Sequence, residues 1–156
     1  MKLKTIISGH VIAIIIALVT SLSVASQNKD KADPINKDSS GVAIKGFDAV
    51  AYFTTGKPVK GSQQFQYDWM GAKWHFANAA NRDLFAKSPE KYAPQYGGYC
   101  AFAVSSNYVY DADPEIWKIV DGKLYLNYNR IARFRWEQDI PGRIKKADEY
   151  WPKLHK

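Results

Sequence analysis

Ile116-Trp117-Lys118-Ile119-Val120-Asp121-Gly122-Lys123-Leu124-Tyr125-Leu126-Asn127 reads as two alternating runs joined by Asp-Gly. That pair suits a type I′ turn, in which both central residues need positive φ, so the stretch predicts a β-hairpin. Upstream, Phe65-Gln66-Tyr67-Asp68-Trp69 and Lys73-Trp74-His75-Phe76 flank Met70-Gly71-Ala72 and predict a second hairpin, with Phe65, Tyr67 and Trp69 on one face. Asn78 can cap a helix whose Ala77, Ala80, Leu84 and Ser88 recur at helical spacing, with Pro89 ending it. Asn129 can cap another, running through Gln138 and carrying Ile131, Phe134 and Trp136. A last helix starts near Pro141, with Ile140, Ile144, Ala147 and Trp151 on one stripe and Pro152 as its end. The run Gly46 to Phe53 is a short buried element whose type periodicity leaves open. Short hairpins alternating with helices indicate a small single α+β domain, not a doubly wound sheet.

The chain has 156 residues, 22 Lys+Arg against 15 Asp+Glu, one Cys and three His. A single cysteine excludes an intrachain disulfide framework, a Cys-x-x-Cys pair and any multi-cysteine metal cluster within one chain. No phosphate loop or dinucleotide fingerprint occurs. Residues 1–26 read as a signal peptide: Lys2 and Lys4 form a positive start, Val11 to Val19 an apolar stretch, and Ser23-Val24-Ala25-Ser26 a small-residue cleavage region. Cleavage would remove His10 and, with Lys2 and Lys4, take the net charge from +7 to +5. The expected location is the periplasm or the secreted medium, where nucleic acid is not the expected partner. Residues 27–40 are almost without apolar side chains and are expected to form a flexible leader, leaving 41–156 as the folded unit.

Two residues concentrate the chemistry. Cys100 follows Tyr96-Gly97-Gly98-Tyr99, where paired glycines permit a tight bend. Its thiol is a buried small hydrophobe, a metal ligand, a nucleophile, or half of an intermolecular disulfide. His75 is the imidazole inside the folded unit; between Trp74 and Phe76 on a strand, it points away from both, toward solvent or toward a partner such as Cys100. Asp111 to Glu115 reads as turn chemistry, since a calcium loop needs a longer acidic alternation. Residues 130–156 carry an excess of cations, including Arg130, Arg133, Arg135, Arg143, Lys145 and Lys146. They form a solvated helical face, with Arg133 and Glu137 in i,i+4 register, or a contact for an anionic membrane surface or acidic partner.

Gly71-Ala72-Lys73-Trp74-His75-Phe76-Ala77-Asn78, then Asn81-Arg82-Asp83-Leu84-Phe85 and Ser88-Pro89-Glu90-Lys91-Tyr92, resembles the YHS domain. The likeness extends through 46–53, 94–101 and 122–127 to the exported bacterial YHS-domain proteins. Metal-binding relatives of the YHS and TRASH type carry cysteines at positions that here are Ala51, Ala77 and Asn81. The resemblance therefore implies a YHS-like fold without the family's thiolate site, because alanine has no lone pair and an amide is a poor ligand for soft ions. Any metal site would have to be rebuilt around Cys100 and His75.

Three functional readings follow. The first is a small exported, non-enzymatic binding protein handling a metal ion, copper being favoured by a thiolate and an imidazole. A second is an aromatic cleft formed by Trp69, Trp74, Tyr96 and Tyr99, binding a small apolar ligand or an envelope protein. The third is a thiol enzyme with Cys100 as nucleophile and His75 as base.

Overall fold

The computed structural model describes residues 31–156; the signal segment expected over 1–26 and the first leader residues, 27–30, lie outside the described residues. Four strands form two separate antiparallel hairpins: β1 (Ser62–Trp69) with β2 (Ala72–Phe76), and β3 (Asp113–Val120) with β4 (Lys123–Asn127). Among the described residues six α-helices accompany them, α1 (Ala51–Thr54), α2 (Ala79–Lys87), α3 (Pro89–Tyr92), α4 (Ala101–Val104), α5 (Arg130–Glu137) and α6 (Ile140–Leu154). The domain is α+β. Both hairpin turns have the backbone their sequences demand, with positive φ at Met70 and Gly71 and at Asp121 and Gly122. No helix among the described residues is long and apolar enough to cross a membrane.

Strand β4 organises the packing because it is buried on both faces. Leu124 and Leu126 enter one core with Trp74, Phe76, Phe85, Tyr52 and Ile44. Tyr125 points the opposite way, into a second core with Tyr96, Val104, Trp136 and Ala147. Side-chain alternation along one strand thus joins the first hairpin's core to that of the C-terminal helices.

The expected helix caps are present: Asn78 Oδ1 accepts from Asn81 N at 2.8 Å, and Asn129 Oδ1 from Ala132 N at 2.8 Å. Their buried faces differ from the expectation. On α2 the core residue is Phe85, whereas Leu84, in the stripe read from sequence, is 39% exposed. The larger ring takes the interior, meeting Trp74 at 4.9 Å and Phe76 at 5.1 Å between ring centres. Helix α5 buries only Trp136, leaving Ile131 and Phe134 each 63% exposed. On α6 the stripe of Ile140, Ile144, Ala147 and Trp151 packs as expected, but Pro152 lies within a helix that continues to Leu154.

Residues 31–40 depart most from the expected leader. Ile35 is 3% exposed within the first core, and Asn36 N donates to Gly97 O at 2.8 Å. Ala32 pairs with residues 154–156, its N donating to Leu154 O and its O accepting from Lys156 N, both at 3.0 Å. Composition missed this because one apolar side chain and a few backbone bonds suffice to dock a short segment. Gly97, at φ 61°, makes the docking possible: a Cβ there would overlap the Pro34 carbonyl.

Candidate functional site

Cys100 sits immediately before α4 and beside β4, its N donating to Tyr110 O at 2.9 Å and its Sγ lying 3.8 Å from Asn127 Oδ1. The residue is 1% exposed. Burial pushes its thiol pKa up, against smaller opposing contributions from nearby backbone groups. This favours the neutral thiol, the reverse of what a nucleophile or metal ligand needs. Iodoacetamide is therefore expected to modify native Cys100 more than about tenfold slower at pH 8 than the same thiol in guanidinium-unfolded chain. A native rate equal to the unfolded one would show the thiol open and activated. The raised value also fixes a sign: with the thiol neutral in both states at lower pH, the unfolded chain ionises first as pH rises. Stability from this group then declines from the ordinary thiol range, about pH 8.5, toward the higher folded value.

His75 lies elsewhere. It pairs with Gln66 across the first hairpin and stands against Gly46 and Gly61, and its Nε2 is buried without a hydrogen-bond partner. The alternation expected of the strand is observed, with Trp74 and Phe76 buried on the opposite side. Its own side is more closed than a solvent face. Cys100 and His75 have different surroundings, and no group of three or more His, Cys, Asp or Glu among the described residues could hold a metal ion.

The four residues expected to form one aromatic cleft divide between the two cores. Trp69 and Trp74 pack on Phe85, whereas Tyr96 and Tyr99 pack on Trp151. Burial and the Asp148 carboxylate, which accepts from Tyr96 Oη at 3.0 Å, hold the Tyr96 phenol protonated. Trp74 and Tyr96 belong to the cores, and Trp69 and Tyr99 are half-buried against them.

An open apolar groove of about 470 Å³ exists at a different place, above Cys100. One wall comprises Phe102 and Ala103 of α4 and the following loop through Tyr108, Val109 and Tyr110; the other comprises Tyr128, Ile131 and Ala132 at the start of α5. Tyr110 and Tyr128 meet edge to face at 4.7 Å between ring centres. Tyr108, Tyr110, Tyr128 and Ile131 are all exposed, forming an apolar concavity rather than isolated surface residues. Its signal in the sequence was the run Tyr108-Val109-Tyr110 in a segment belonging to neither hairpin nor helix, where burial could not explain it.

Asp48 organises the other notable cluster. Fully buried, its Oδ1 accepts from Val50 N at 2.9 Å and Ala51 N at 3.2 Å; its Oδ2 accepts from Ala77 N at 2.9 Å and Asn81 Nδ2 at 2.7 Å. One carboxylate thereby ties the start of α1 to the end of β2 and the first turn of α2.

The YHS domain family matches residues 50–96. This segment is similar to a YHS domain. It spans α1, the first hairpin, α2, α3 and the turn through Tyr96, including the whole surround of the Asp48 cluster. No curated protein and no solved structure matches the chain. A YHS domain points to a metal-related role. Ala51, Ala77 and Asn81, the positions where the resemblance implies cysteines in metal-binding relatives, each give a proton donor to Asp48. Two have no side-chain donor atom for a metal, and the third offers only an amide oxygen, a poor ligand for soft ions.

Proposed function

We propose that this YHS-like protein is a non-enzymatic binding module that receives a small apolar ligand in the groove between α4 and α5. The observation carrying this reading is the coincidence of concavity and exposed large hydrophobic side chains at Tyr108, Tyr110, Tyr128 and Ile131. Small-molecule sites are typically apolar clefts of about 300–1,000 Å³, and this groove falls within that range. Export to the periplasm or medium is part of the proposal and rests on residues 1–26. The YHS match supports metal handling, but the burial of the Cys100 thiol, which favours its neutral form, makes copper the weaker reading. The basic helices α5 and α6 leave contact with an anionic membrane or acidic partner as a further proposed property.

The neutral fluorophore N-phenyl-1-naphthylamine tests the groove. It is expected to bind one per chain, and Ile131→Asp should weaken binding about tenfold, because a charged side chain replaces apolar contact at the wall. The exposure of Ile131 makes a small stability change the expected accompaniment, within about 0.5 kcal/mol. Absence of saturable binding would remove the proposal, as would binding indifferent to Ile131→Asp. Copper that bound stoichiometrically and was lost in both Cys100→Ala and His75→Ala would favour the metal reading instead.

A further inference from the structure

The groove's lining carries charge as well as apolar surface. Among the described residues, Arg135 is the one charged residue of its lining, and no carboxylate contributes to it. The other arginines of α5 are placed differently. Arg133 is held by Glu137 at 3.0 Å, and Arg130 lies with Glu115 and Glu137 on another surface of the helix. Arg143 of α6 packs behind the groove over the Phe102 ring, 4.7 Å from its centre. Asn129, at the groove's edge, caps α5, so the partial positive charge of that helix start also lies on the apolar side. An apolar cavity whose lining includes an arginine and a helix start is complementary to a molecule with an apolar body and an acidic end.

We infer that the ligand of this groove is an anionic amphiphile, its apolar or planar body lying along Tyr110, Tyr128 and Ile131 and its acidic group meeting Arg135. This rests on the groove-binding reading and specifies the chemical class it takes. A carboxylate, sulfonate or phosphate would accept from the guanidinium, a charge-assisted bond with no competing carboxylate from the lining. Carboxylate-bearing and phosphate-bearing sources share this chemistry.

Two fluorophores with the same ring skeleton test the charge alone: neutral N-phenyl-1-naphthylamine and its sulfonated counterpart 8-anilinonaphthalene-1-sulfonate. Titrated into the full folded domain, the sulfonate is expected to bind about five- to tenfold more tightly at low salt, with the advantage shrinking as salt is added. Arg135→Gln should abolish that advantage while leaving the neutral probe unchanged. Arg130→Gln, on the other surface of α5, should leave both affinities unchanged. Competition by decanoate and by decyl phosphate then separates the two acid classes. Equal affinities for the two probes, or equal losses in both arginine variants, would overturn the anionic preference while leaving the groove reading intact. If neither probe binds, the groove reading itself falls.

Discussion

Asp48→Ala is expected to lower the unfolding free energy by about 3–5 kcal/mol and the midpoint of thermal unfolding by about 10–20 °C. The carboxylate is the common acceptor for three backbone N–H groups and one side-chain amide, in segments that no strand ladder joins. Removing it leaves the buried Val50 N–H without its acceptor and strips the Ala77 N–H and the half-buried Asn81 amide of theirs, and the lost bonds together with this desolvation cost set the size of the effect. Asn81→Ala removes a single one of the bonds and should cost about 1–2 kcal/mol. Asp48→Asn keeps the shape but turns an NH2 toward groups that themselves donate, so it should fall nearer to the alanine variant than to the parent. Chemical denaturation measures all three, and a loss below about 1 kcal/mol for Asp48→Ala would mean that the cluster does not hold the domain together.

Phe85→Ala should destabilise by a comparable amount, about 3–5 kcal/mol. Its ring is surrounded by Tyr67, Trp69, Trp74 and Phe76, with centres between 4.9 and 6.2 Å away, so truncation opens a cavity among rigid rings that cannot collapse into it. Near-ultraviolet circular dichroism should change with it, because Trp69 and Trp74 lose their shared partner. Leu84→Ala is the paired control. With its side chain turned outward, it should cost no more than about 0.5 kcal/mol. Similar losses for the two variants would reverse the helix face assigned here.

The helix-face assignment illustrates what the sequence could convey. Both hairpins, their turns and the asparagine caps were legible because each depends on residues within a few positions of one another: Asp121-Gly122 determines a turn, Asn78 a cap. The orientation of α2 depended on a competition between Leu84 and Phe85 for an aromatic pocket supplied by β1 and β2, and no local spacing encodes that pocket. For the same reason Trp69, Trp74, Tyr96 and Tyr99 suggested one cleft although β4 separates them into two cores. Cys100 and His75 stood out by rarity, which says nothing of proximity. The groove was hidden in the opposite way. Its residues come from segments on either side of the second hairpin, and Ile131 reads as a core position until Trp136 is seen to take the interior.

The pairing of Ala32 with Leu154 and Lys156 makes the described part of the chain nearly a closed loop in space. Force applied through the segments beyond these bridges would meet the clasp before it reached either hairpin. With the two ends side by side, a short linker could join them while the chain was reopened at the exposed Asp121-Gly122 turn. The order of the elements along the chain would change, yet every contact around β4 could be kept.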